Sequence, residues 1–315
     1  MKTSAAKIGV GARQPKGSWY SRARGRFHVS APFTRYFPAA EFPDYSDFVK
    51  IAGQMVKQDH RTRVVLVYRR AGDGAEKSSC AFIVKSHRYP VVPRIRTGFR
   101  ISKAENEFKS LLYLNQLGVA AVEPVAYGAE RTRLGFVRSC FIITRYLEAT
   151  INLEDWHYLN VDNEAAKQRA ALLTRLGAIF HQLHSARFFL FTAKPRNILL
   201  RPGSDIDINT DLLILDTPFA RTLRWWPLAR WAQSRDLGYC LGSFHPAVTS
   251  ANLQSFYAGY LPDVLGSTAE SVQRRVSRAI RVQRNITPLA RVVEAVKQYL
   301  RAKRRLRRAR RALSV

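Results

Sequence analysis

The chain has 315 residues and 46% apolar content, enough for two modest domains or one two-lobed domain with a real core. Its 52 Lys and Arg against 23 Asp and Glu give a net charge of +29, which implies an anionic partner: nucleic acid, an anionic membrane face or a phosphorylated glycan. Cys80, Cys140 and Cys240 form neither a metal spacing nor a disulfide framework, the opening MKTSAAKIGVGARQ has no signal-type apolar run, and no window approaches the ~20 apolar residues of a membrane span. These features point to a reducing, cytoplasmic compartment and to a protein that is soluble or peripheral.

In chain order, residues 1–44 are rich in Arg, Lys, Gly, Ser and Pro and read as a basic, mostly irregular arm. Alternating tracts at Thr62 to Tyr68 and Ala81 to Lys85, separated by the Ala71-Gly72-Asp73-Gly74 turn, predict a hairpin. Ser102 to Leu117 has helical apolar spacing, a Ser102/Glu105 capping box and Gly118 as its stop. A Pro- and Gly-marked bend, VEPVAYG, then leads to a strand from Phe136 to Tyr146. Beyond Leu147 the pattern turns helical, with helices predicted at Ala165 to His184, around Ser234 to Gly242, Ser250 to Tyr260 and Ala269 to Val282, and from Pro288. The last ends in RAKRRLRRARRALSV, a basic tail over 300–315 with a thin apolar stripe, a modest signal for a membrane surface or nucleic acid. The expected architecture is α+β and bilobal: a small β-rich N-lobe over 45–147 and a larger helical C-lobe over 148–299.

The most informative stretch is Phe180 to Asp216. A helix ends near His184, a loop carries Lys194-Pro195-Arg196-Asn197, and two short apolar strands, Ile198 to Leu200 and Leu212 to Leu215, lead to Asp216. An Asn and an Asp on adjacent short strands offer the oxygen ligands Mg²⁺ requires. The plain alternative is an ordinary β-hairpin with a strand-end acid. Lys85, ending the IVK strand, and Glu107, on the next helix, add the pair with which kinase-like folds hold α- and β-phosphates.

From FIVKSHRYP, AENEFKSLLYLNQLGVAAVEPVAYG, FIITRYLE, LGAIFHQLHSA, KPRNILL, LLILDTPFAR and SRDLGYCLGS onward to NLQSFYAGYL, the chain resembles the bacterial lipopolysaccharide core kinases (Kdo/WaaP type), which have a protein-kinase-like fold. The resemblance spans roughly residues 45–262. It implies ATP and Mg²⁺ as cofactors, with Lys85, Glu107, Arg145, Leu147 and Asn197 toward the nucleotide, Asn197 and Asp216 toward the metal, and Lys194 near the transferred phosphate. It also implies an anionic glycolipid or lipopolysaccharide core as acceptor and peripheral contact with the inner face of an anionic membrane. Asp236 is expected either to brace the loop, as a similar Asp does in kinase-like folds, or to cap a helix.

The sequence departs from that pattern. Thr192 stands where the family carries its catalytic Asp, two residues before Lys194-Pro195, and a threonine does not accept a proton from a sugar hydroxyl at neutral pH. The turn Gln58 to Arg61 has no glycine with which to wrap phosphates. Two further features stay outside this scheme. His181 and His184 have a metal-capable spacing, with packing against the loop as the plainer reading, and Trp225-Trp226 suit either a membrane interface or a buried or partner-facing site. Three functions follow: an atypical ATP-dependent kinase acting on a lipid-linked glycan, a pseudokinase that binds nucleotide or a partner, and a basic nucleic-acid-binding protein supported by charge alone.

Overall fold

The structure, a computed structural model, describes residues 17–22, 25–71, 79–90, 97, 100–160, 166–201, 212–244, 248–261 and 268–284. The expected helix from Pro288, the basic tail and most of the Ala71–Gly74 turn lie outside the described residues. The chain divides into two compact units, Met1–Tyr113 with Val122–Glu148, and Leu114–Ala121 with Ala149–Val315.

The first unit is built on an antiparallel seven-stranded sheet of order β1-β2-β6-β7-β5-β4-β3. Its strands are β1 (Gly17–Arg22), β2 (Gly25–Ser30), β3 (Gln54–Gln58), β4 (Thr62–Arg70), β5 (Ser79–Arg88), β6 (Pro124–Arg131) and β7 (Val137–Arg145). Two sequence expectations change here. The stretch read as an irregular arm supplies two strands: β2 pairs with β6 from Gly25↔Glu130 to Val29↔Ala126. It is anchored by rings that its basic composition hides. Phe27, Phe33, Tyr36, Phe37, Phe42 and Phe48, the last on α1 (Tyr45–Lys50), pack with Phe82, Val84 and Phe141 in one buried cluster. The bend VEPVAYG is also strand, because Val125, Ala126 and Tyr127 are buried and Pro124 sits at the first strand position, where a missing N–H costs least.

Helix α2 (Lys103–Gln116) starts where Ser102 Oγ accepts the Glu105 N–H at 3.1 Å. It stops at Gly118, whose φ of +72° suits glycine, with the Val119 N–H returning to Leu114 O at 3.0 Å. Its buried face is Ala104, Glu107, Phe108, Ser110, Leu111 and Leu114, with Glu107 its one carboxylate.

In the second unit, α3 (Leu153–Leu159) follows the short strand β8 (Ile151–Asn152) and is capped by Asn152, which accepts from Asp155 N. The long helix α4 (Ala166–Ser185) crosses α6 (Ser250–Tyr260) at close range. A Cβ on Gly177 or Gly259 would strike the facing helix's backbone, so both positions need glycine. Between them come β9 (Phe188–Phe189), the hairpin β10 (Ile198–Leu200) with β11 (Leu212–Ile214), and β12 (Arg221–Thr222), which pairs with β9. Helix α5 runs Trp226–Gly242, starting eight residues before the position the sequence suggested. Pro227 supplies the start signal, since a proline in the first turn gives up only an N–H that has no helical partner. Helix α7 is Ala269–Arg284.

Candidate active site

In the first unit, Lys85 lies on a central strand, opposite Val64 of β4 and Ile142 of β7. Strand alternation turns it away from the aromatic cluster that takes Phe82 and Val84. Its Nζ lies 3.4 Å from both carboxylate oxygens of Glu107. The Glu107 side chain is only 4% exposed and that of Lys85 20%. A carboxylate so deeply placed needs its cation, which fixes the ammonium above the sheet.

The turn before this pair is closed by its own side chain. Asp59 Oδ1 accepts the N–H groups of Arg61 and Thr62 at 2.9 and 2.8 Å, and those bonds hold the carboxyl below its usual range. Two amides of the glycine-free turn are therefore already engaged. Arg145 ends β7 with its guanidinium 3.3 Å from Glu123, both side chains about half exposed, and its N–H on Glu123 O at 2.9 Å. Leu147, half-buried, lies just past β7.

In the second unit the loop after α4 is braced from below. Asp236 is fully buried in the middle of α5, so it is not a helix cap. Its two oxygens accept the N–H groups of Leu190 and Phe191, each at 2.6 Å. These charge-assisted bonds hold Phe191 at a φ of 60°, a left-handed conformation that costs a non-glycine residue roughly 1–2 kcal/mol. His184 supports the same carboxylate, with Nε2 3.6 Å from Asp236 and its ring stacked on Phe189 at 5.1 Å. Tyr260 completes the support: its hydroxyl lies 2.8 Å from His184 Nδ1 and accepts from Gln233 at 2.7 Å. His184 thus packs against the loop, while His181 faces Tyr260 O at 3.0 Å. Gln233 and Tyr260 had no sequence signal, because their role depends on contacts between distant helices.

At the loop's tip the side chains diverge from the apolar FFLF segment. Phe188, Phe189, Leu190 and Phe191 are buried, but Thr192 is only half-buried. Its hydroxyl donates weakly to the carbonyls of Leu190 and Asp216 at 3.5 and 3.4 Å. Lys194 carries its ammonium over the Tyr239 ring at 5.6 Å. Asn197 donates through Nδ2 to Thr192 O at 2.9 Å, which leaves Oδ1 as its cation-capable atom.

The β10–β11 register pairs Ile198 with Ile214, and Leu215 N–H donates to Asn197 O at 2.9 Å. Asn197 therefore lies across from Leu215, and Asp216 is one step further along the same strand end. Asn197 Oδ1 and the Asp216 carboxylate are hard oxygens of the kind Mg²⁺ takes, on residues at neighbouring strand ends.

The aromatic pair Trp225-Trp226 is neither buried nor packed in a core: the two are 64% and 42% exposed. Among the described residues, no helix is long and apolar enough to cross a membrane.

A family model described as the lipopolysaccharide kinase (Kdo/WaaP) family matches residues 87–260. No curated protein matches the chain. A solved structure of WaaP in complex with acyl carrier protein aligns with a TM-score of 0.61 at 19% identity, covering 82% of this chain and 98% of that one. The fold is accordingly protein-kinase-like, with the β-rich unit and the helical unit as its two lobes.

Proposed function

The chain belongs to the lipopolysaccharide kinase (Kdo/WaaP) family, and from that premise we propose that it binds ATP with Mg²⁺ and transfers phosphate slowly to a sugar hydroxyl of a lipid-linked glycan. The observation that carries the nucleotide half is the Lys85–Glu107 pair, 3.4 Å apart with a buried carboxylate. The pair presents a fixed ammonium to the α- and β-phosphates. Asn197 and Asp216 would hold the metal, which neutralises charge on the phosphates when bound. Lys194 would meet the transferred phosphate, and Arg145 and Leu147 would serve the nucleotide, as the family resemblance implies.

The slow half rests on Thr192. Phosphoryl transfer passes through a loose transition state, so most of its catalysis is positioning and charge neutralisation. A general base adds ~10²–10⁴-fold, and that is the share this loop lacks. A second reading, nucleotide or partner binding without turnover, is favoured by the Thr192 hydroxyl pointing to two backbone carbonyls. The cationic ends of the chain, within a net charge of +29, suit peripheral contact with an anionic membrane face on the cytoplasmic side.

Thr192→Asp separates the two readings. Thr192 is half-buried, so the new carboxylate can reach solvent and the melting temperature should hold. On the slow-kinase reading, ATP turnover rises, by up to ~10²–10⁴-fold. No gain in turnover from a well-folded variant would favour binding alone.

A further inference from the structure

Arg224 to Leu228 are five consecutive exposed residues where the second unit turns into α5. Trp225 is 64% exposed, Trp226 42%, Leu228 42% and Trp231 52%. Three of the chain's five tryptophans are thus spent on solvent within one short segment. A cluster of large exposed apolar side chains marks an interaction surface. The segment is not a loose loop. Its base is pinned by β9–β12 pairing, by Leu223 N–H on Arg187 O at 3.0 Å, and by Arg187 donating to Arg224 O. Ala229 and Ala232 anchor the helix behind it in the cluster with Phe189 and Phe191. Trp231 is tied to the same cluster through the Phe191 ring at 6.0 Å, yet stays half exposed.

The charge around them has one sign. From Thr217 to Arg235 there is no acidic residue, while Arg221, Arg224, Arg230 and Arg235 are interleaved with the rings. Arg230 lies over the Trp226 ring at 3.3 Å and Arg235 over Trp231 at 5.4 Å. Indole with guanidinium is the chemistry of the lipid–water interface. The ring takes the boundary between headgroups and acyl chains, and the guanidinium pairs with phosphate oxygens above it. An exposed run of indoles and arginines suits the headgroup layer of an anionic bilayer.

We propose that the Arg224–Trp231 ridge seats the protein on a bilayer with anionic headgroups, its indoles entering the headgroup layer. This rests on the peripheral reading above and names a surface other than the basic ends of the chain.

The test uses the full chain with vesicles of phosphatidylglycerol and phosphatidylcholine, or phosphatidylcholine alone, some carrying brominated acyl chains. Tryptophan emission should shift to the blue and be quenched by the brominated lipid in anionic vesicles. The double variant Trp225→Ser/Trp226→Ser should lose about tenfold or more in vesicle partitioning at unchanged melting temperature. Truncation after Tyr299 should leave bromolipid quenching in place. Binding that survives the double variant but is abolished by truncation would overturn the ridge while leaving the peripheral reading intact. No binding of the full chain to either vesicle would overturn both. Tryptophan-dependent self-association without bromolipid quenching would give the ridge to a second copy of the chain and overturn the proposal.

Discussion

The Lys85–Glu107 pair and the Leu190–Asn197 loop serve the same proposed chemistry but have been kept in different ways. In the first unit the charged groups themselves persist, with an ammonium on a buried carboxylate. In the second unit a buried scaffold holds the loop: Asp236 accepts two loop amides, His184 packs 3.6 Å from Asp236 with its other nitrogen at the Tyr260 hydroxyl, and Asn197 ties the loop to its own backbone. At the tip stands Thr192, where the family resemblance implies an acid. The forces that shape a catalytic loop are thus separable from the group that performs the chemistry.

Removing the brace should break that comparison most severely. Asp236→Ala leaves two buried amides without acceptors, at ~1–3 kcal/mol each, and removes the bonds holding Phe191 in a left-handed conformation. Denaturant melting should show the loss, and hydrogen exchange should localise it to the loop and α5. An unchanged melt would mean that the brace contributes nothing. Removing the carboxylate of the pair should act on the other side. Glu107→Ala removes the buried carboxylate that faces Lys85 and should cost about 3 kcal/mol, near the lower end for breaking a buried pair. It should also weaken nucleotide binding while loop exchange is unaltered. Equal nucleotide affinity in the variant would separate the pair from the site.

A smaller effect should appear with pH and belong to the first unit alone. Burial holds the His28 imidazole below its usual range, among the rings of Phe108 and Tyr127. The folded state keeps it neutral while the unfolded chain takes up a proton below about pH 6.5. Stability should therefore fall as pH drops through that value, and His28→Gln should flatten the slope. A steeper slope in the variant would contradict this origin.

Much of this was legible in the sequence where the physics is local. Helix α2 announced itself through its apolar spacing, Ser102 and Gly118, and the IVK strand followed by that helix foretold the meeting of Lys85 and Glu107. The fold class followed from strands giving way to helices. The strand β2 was hidden because Arg and Gly dominate its neighbourhood. The signal was the recurrence of rings from Phe27 to Phe48, which a basic composition does not erase. The bracing role of Asp236 stood as one of two readings, because choosing between a cap and a brace needs a contact 45 residues away in sequence. The start of α5 was missed because two tryptophans before a proline look like loop, and their exposure removes the buried alternative while leaving the membrane-interface and partner-facing ones.

The proposed site is competent to bind nucleotide and poor at transferring its phosphate. Equilibrium ATP binding and ATP turnover, measured on one purified sample with and without Mg²⁺ and with a lipopolysaccharide-core acceptor, test it directly. The prediction is Mg²⁺-dependent ATP binding with turnover slower by the ~10²–10⁴-fold that a positioned base would supply. Rapid turnover to the acceptor by the unaltered chain, or no ATP binding with Mg²⁺ present, would contradict it.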